Sequence, residues 1–441
     1  MRFTDKQLRK LIIPLVIEQL LAITVGLADS IMVASVGEAA VSGVSLVDNI
    51  MILIINVFAA LATGGAVVSG QYIGQQREER ACKAADQMVL FVTVLSIVIT
   101  IGIYACQNLI LYGVFGKIER DVFENARIYL LIVTASVPFI ALYNGGAAIF
   151  RAMGDSKTPM KISVFMNGIN LAGNAVLIYG MGMGTEGAAI PTTVSRIVGA
   201  AVILGMLKNQ KYQVHLSPKM EWRFDRHMIR RILYIGIPNG MENSMFQLGK
   251  ILVLSLVATF GTASIAANAV ANTVAVFQCL PGSAMGMAML TVVSQCVGAR
   301  RYDEVRFYTG KLMKMIYAFM VLVNVFMLLA LPLILHIYQL SDETARMARE
   351  ILIYHGCCAV TIWPLAFSLP NTLRAANDVK FTMWVSIISM WVCRVILSYV
   401  IGQFMGGGVF GIWVAMTIDW LLRAVLFSIR YQKGTWQLQN G

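Results

Sequence analysis

Twelve apolar runs, each near or above the ~20 residues that cross a hydrocarbon core, fill most of this 441-residue chain. They lie near 10–34, 46–73, 86–112, 123–149, 159–181, 186–208, 231–257, 265–297, 311–337, 348–373, 381–404 and 410–431. Only 13% of the residues are charged, against about 25% in soluble domains. Mean hydropathy is +0.72. A backbone in lipid must satisfy its own hydrogen bonds, and a run of this length does so as a helix. The fold class expected is an all-α polytopic membrane protein with twelve transmembrane helices. No cleavable signal is expected, because the first run carries Glu18 and Asp29 and lacks a small-residue cleavage site.

A net charge of +12 could suggest nucleic acid. Its distribution excludes that reading. Lys and Arg crowd into alternate connections: Arg2, Lys6, Arg9 and Lys10; Arg77, Arg80 and Lys83; Arg151, Lys157 and Lys161; seven from Lys208 to Arg231; Arg300, Arg301, Arg306 and Lys311; Arg374 and Lys380; Arg430 and Lys433. The opposite set holds only Lys117, Arg120, Arg346 and Arg349. That asymmetry follows the positive-inside rule, so both termini are expected in the cytoplasm of a plasma (inner) membrane protein. The seven cysteines lie in apolar runs or cytoplasmic connections without a paired spacing, and they read as packing residues. Membrane lipid and small organic molecules are the partners expected, with no nucleic acid, and the chain is expected to act as a monomer.

The chain repeats itself. At an offset of 224, Ile13-Pro14 with Glu18 falls on Ile237-Pro238 with Glu242, Gly37 on Gly261, Gln71 on Gln295 and Gly187 on Gly411. At 223, Arg151-Ala152 with Asp155 falls on Arg374-Ala375 with Asp378. The division expected is an N-lobe over 1–207, a cytoplasmic linker over 208–230 and a C-lobe over 231–441. Two pseudo-symmetric six-helix lobes insert in the same orientation, with the substrate path expected between them near the midplane. Asp29 would fall on Val253. A carboxylate at the bilayer centre costs roughly 2.5–3.5 kcal/mol and is a functional candidate, and symmetric packing does not account for one found in a single lobe.

Asn170 and Asn174 share one face of the fifth helix, and Thr192 starts the sixth. With Asp29 they offer a carboxylate, two amide oxygens and a hydroxyl, donors suited to a hard monovalent cation such as Na⁺ by analogy with oxygen-ligated cations. A proton would need Asp29 alone, with the amides as hydrogen-bond partners. The competing reading is interhelical polar glue. In the seventh helix Glu242, Gln247 and Lys250 stand in apolar sequence. Lys250 needs a partner, and Glu242 or Glu18 is expected to supply it as a structural ion pair, with a substrate or coupling site as the alternative. Asp419 and Arg423 are expected to neutralise each other at i,i+4, and Arg196 and Arg394 to lie near helix ends and snorkel. Arg151-Ala-Met-Gly-Asp155 and Arg374-Ala-Ala-Asn-Asp378 read as helix-terminating turns, structural or gating.

These residues resemble the multidrug and toxic compound extrusion (MATE) transporters over essentially the whole chain. The resemblance rests on Ile13-Pro14 with Glu18, Ala28-Asp29-Ser30-Ile31-Met32, the two Arg-Ala-x-Gly/Asn-Asp turns and Gly187-Ala188-Ala189 with Thr192. It implies that Asp29 is the cation-coupling carboxylate and that Asn170, Asn174 and Thr192 complete the site. It implies export of amphipathic or cationic drugs or toxic compounds in exchange for Na⁺ or H⁺, without an enzyme's chemistry and without a cofactor beyond that ion. Two departures bear on the C-lobe. A helix-7 glutamate found in one branch is Phe246 here, and the tenth helix has no acid. A C-lobe cation site is therefore not expected, and the N-lobe site is read as having one acid. A lipid-linked oligosaccharide flippase of the wider superfamily is the alternative, against which stands a midplane that reads as sparse in arginine.

Overall fold

The structure, a computed structural model, describes residues 3–440; Arg2 lies outside them. Among the described residues there is no strand. Ten helices are long and apolar enough to cross a membrane, and two bent pairs bring the total to twelve. In chain order they are α1 Asp5–Ala34, α2 Glu38–Gly74, α3 Glu78–Ala105, α4 (Arg120–Thr134 with Val137–Ala152), α5 Lys157–Gly180, α6 Glu186–Leu207, α7 Arg226–Phe260, α8 Thr262–Gly298, α9 Tyr302–Ile337, α10 (Asp342–Thr361 with Pro364–Ala375), α11 Val379–Phe404 and α12 Gly408–Lys433.

The helices start before the apolar runs do. α2 begins at Glu38, α3 at Glu78 and α9 with Asp303 and Glu304 in its first turn. Acids there face the positive end of the helix dipole, so the polar extension is stable outside the hydrocarbon. α4 bends by 50° and α10 by 58°. Each bend precedes a proline, Pro138 or Pro364, which lacks the N–H that would continue the hydrogen-bond ladder. Prolines thus break both helices within about two residues of corresponding points of the repeat.

Two compact units emerge, Asp5–Gly240 and Met241–Gly441 with Met1–Thr4. In the first, α2 packs against α3 and both pieces of α4, and α5 joins α1 to α6. In the second, α8 packs against α9 and α10, and α12 against α10 and α11. α2 and α8 are therefore the buried centres of their own units. The turns after α4 and α10 explain a detail of the repeat. Gly154 has φ 84° and Asn377 φ 65°, left-handed conformations that glycine and asparagine adopt most readily.

Candidate functional site: a charged cluster at membrane depth

Asn174 has no exposed surface, and its side-chain amide donates a hydrogen bond to Asp29 Oδ1. The contact depends on small packing at the neighbouring residue. A Cβ at Gly173 would stand 2.6 Å from Pro191 Cβ, so α5 and α6 meet here more closely than any larger residue allows. Asn174 and Thr192 each follow one of the two touching residues and share a level. Thr192 is buried at 8% exposure, and its hydroxyl donates to the Ala188 carbonyl at 3.0 Å. The amide oxygens of Asn170 and Asn174 are buried without a hydrogen-bond partner. Buried polar atoms normally find one. Two unpartnered oxygens on the turn of α5 that carries the Asp29 contact are chemically suited to a hard cation. Neither Asn170 nor Thr192 hydrogen-bonds Asp29 itself. Of the four-residue set, the structure therefore shows one direct contact, between Asn174 and Asp29.

Three further residues join this cluster: Asp48 and Tyr129, which the sequence did not single out, and Arg196, expected elsewhere. Tyr129 on α4 donates from its hydroxyl to Asp48 Oδ1 at 3.1 Å. Arg196 on α6 donates from Nη1 to Ser136 Oγ at 2.9 Å and lies within coulombic reach of Asp29, Asp48 and Tyr129. The sequence leads to the expectation of a single acid; a second carboxylate, Asp48, faces the same Arg196. In the sequence Asp48 stands at the very edge of an apolar run that starts near residue 46. The helix begins at Glu38, which puts Asp48 well inside it. The expectation for Arg196 is corrected. It sits near the middle of α6, too far from either end to snorkel, and it finds its partners sideways. The signal available in the sequence was charge parity: an arginine inside an apolar run needs an acid at its own depth.

Elsewhere the lobes repeat one device. Arg151 Nη2 lies 2.7 Å from Glu18 Oε1, and Arg374 Nη2 lies 2.6 Å from Glu242 Oε1. The expected pairing of Lys250 with Glu242 or Glu18 is therefore contradicted, since both carboxylates are taken by arginines at the ends of α4 and α10. Those arginines are helix-to-helix ties, not loop anchors. Lys250 stands with its Nζ 5.8 Å from the centre of the Phe246 ring, and Gln247 is half-buried beside it. Asp419 and Arg423 pair at 2.8 Å, both buried, as i,i+4 spacing suggested. Arg394 lies in the middle of α11 over the Phe246 ring at 5.0 Å, so it too does not snorkel. With Arg196, Arg394 and Arg423 inside spans, the midplane is richer in arginine than the sequence reading held.

Among the described residues no three His, Cys, Asp or Glu side chains gather as a metal cage. The cluster around Asp29 instead offers two carboxylates, neutral amide oxygens and one guanidinium. By charge it lacks one positive unit, which a single monovalent cation or proton would supply.

Comparison with known proteins agrees with this architecture. A family model described as MatE matches residues 14–176 and again 238–400, the same 224-residue offset seen in the sequence. An uncharacterized transporter of Bacillus subtilis, YisQ, is 26% identical over 97% of this chain and 94% of its own length. A probable multidrug resistance protein, NorM, of Thermotoga maritima is 22% identical over 98% of this chain and 93% of its own. A crystal structure of MATE in complex with MaL6 superposes with a TM-score of 0.91 at 21% identity, covering 98% of this chain and 96% of that one. At that identity the likeness speaks for the fold.

Proposed function

We propose that this chain, which belongs to the MatE family of transporters, is a secondary antiporter that exports amphipathic small molecules in exchange for Na⁺ or H⁺. The observation that carries the reading is the hydrogen bond from Asn174 to Asp29 beside two unpartnered amide oxygens, in a cluster of two carboxylates and one guanidinium. Asp29 takes the cation. Asn170, Asn174 and Thr192 supply neutral oxygens for Na⁺, while a proton uses the carboxylate alone. Arg196 cancels one of the two acids, so one cation per cycle suffices.

Exchange follows if the loaded and unloaded N-terminal units favour different states with different substrate affinity. Neutralising Asp29 removes the charge that Asn174 binds and frees α1 relative to α5. The protein resides in the plasma (inner) membrane with both termini cytoplasmic, a reading supported by the charge asymmetry of its connections; we take it to work as a monomer.

The test is transport in proteoliposomes loaded with an amphipathic dye, with a Na⁺ or H⁺ gradient imposed. Gradient-dependent dye movement is expected. Movement that ignores both gradients, or that requires ATP, would sink the antiport reading.

A further inference from the structure

We infer that the C-terminal unit carries a binding site for an organic anion, an oxyanion group on an aromatic body, formed by Lys250, Arg394, Phe246 and Phe367. The inference rests on the reading of the chain as a transporter of amphipathic molecules and names a substrate class for it.

The site begins with packing. A Cβ at Gly249 would lie 2.4 Å from Met390 Cε, so α7 and α11 approach closely there. Lys250 is the next residue on α7, and Arg394 lies one turn beyond Met390 on α11. Both cations flank one ring: Lys250 Nζ is 5.8 Å and Arg394 Cζ 5.0 Å from the centre of Phe246. Arg423 approaches the same ring at 5.8 Å and the Phe367 ring at 5.2 Å. Phe367 in turn stacks on Trp363 with centroids 5.2 Å apart.

Charge does not balance here. Three cations face one carboxylate, Asp419, whose Oδ1 already accepts from Arg423 and from Ser389. Among the described residues neither the Lys250 ammonium nor the Arg394 guanidinium has a side-chain hydrogen bond or an ion pair; their charges act on one another, and Asp419 acts on Arg394 only from a distance. The nearby Glu242 is held by Arg374. Like charges brought together inside apolar spans are costly unless something neutralises them. Ring quadrupoles attract cations, but each contact is worth about 0.5–2 kcal/mol and leaves the charge in place. The Lys250 residue is exposed and Arg394 half-buried, with the Arg394 guanidinium the more enclosed of the two charged groups. A carboxylate or phosphate would accept from both, and the aromatic panel would take its apolar body. An organic cation, by contrast, would meet two like charges.

The experiment is equilibrium binding to the full chain in nanodiscs of phosphatidylcholine, with 2-naphthoate and its neutral amide, 2-naphthamide, as probes. The naphthoate is expected to bind at least tenfold more tightly than the amide. K250Q and R394Q should each weaken naphthoate binding at least tenfold, and K250R should retain it within threefold. Equal binding of acid and amide, or unchanged binding in both Gln variants, overturns the proposal. If the Gln variants fail to fold, the acid–amide comparison on the native chain decides alone. Adding phosphatidylglycerol to the discs separates lipid from solute: displacement of naphthoate tenfold or more would assign the cations to a lipid phosphate and overturn the solute reading. No ion gradient is present, so this outcome is independent of whether antiport itself is found.

Discussion

Asp29 and Asp48 put two carboxylates inside apolar spans, and Arg196 sets one guanidinium against them. The balance makes a residue-scale prediction. R196Q leaves both acids without their internal countercharge, so Na⁺ affinity should rise by at least about tenfold, ~1.4 kcal/mol. Radioactive Na⁺ binding to purified protein would measure it, and an unchanged affinity would remove Arg196 from the charge count. N174A and T192A probe the neutral donors. Each should weaken Na⁺-driven transport more than H⁺-driven transport, because a proton needs only the carboxylate. Equal losses would assign these side chains to packing. Asp29 was legible in the sequence as an unmatched acid, and so were the amides on its neighbouring helix. Asp48 and Tyr129 were not, because their pairing is set by where α2 starts and how α4 bends. Neither feature leaves a mark on residue spacing.

Between elements, the two arginine–glutamate ties are the clearest product of duplication. Glu18–Arg151 and Glu242–Arg374 join corresponding helices in each unit and leave Oε2 and Nε buried without partners. Removing one partner strands a buried charge, which costs about 3–5 kcal/mol, whereas removing both avoids it. E242Q should therefore lower the melting temperature in detergent more than the double variant E242Q/R374M does. A double variant less stable than E242Q would contradict this. At the start of α7, Asp225 accepts from the His227 and Met228 backbone N–H groups at 3.0 and 3.2 Å and pairs with Lys83. The Lys83 bond, then the Met228 N–H, holds its carboxyl below the usual aspartate range. A lowered folded-state value contributes stability that is present above the unfolded aspartate value and is lost as pH falls through the folded one. D225A should cost about 1 kcal/mol as a lost cap at neutral pH. The difference from the parent should shrink on acidification, as followed by thermal unfolding. A constant difference down to acid pH would place the effect elsewhere. The turns were legible because Gly154 and Asn377 each stand just before an aspartate. The partners of their arginines were not, because Lys250 competes for Glu242 on sequence spacing and loses on direction.

Over the whole molecule, the twelve spans, the duplication and the uneven loop charge tell one consistent story. Helix number and repeat were plain in the sequence, since apolar length and a constant offset survive divergence. The positive character of the C-terminal unit was hidden, because Arg394 and Arg423 read as a snorkelling residue and a neutralised one until Phe246 gathered them with Lys250. Cysteines introduced near 40, 184, 260 and 407, in a chain stripped of its native ones, should label from outside the cell. Those near 78, 155, 218 and 303 should label only after permeabilisation, and outside labelling near 218 would break the proposed topology. The central claim is that one cation entering at Asp29 drives export. Its most direct measurement compares the native chain with D29N in proteoliposomes, reading dye efflux under an imposed Na⁺ or H⁺ gradient beside dye exchange with no gradient. D29N should lose gradient-driven efflux while it still exchanges dye at equilibrium. Gradient-driven efflux at the native rate in D29N would contradict the account.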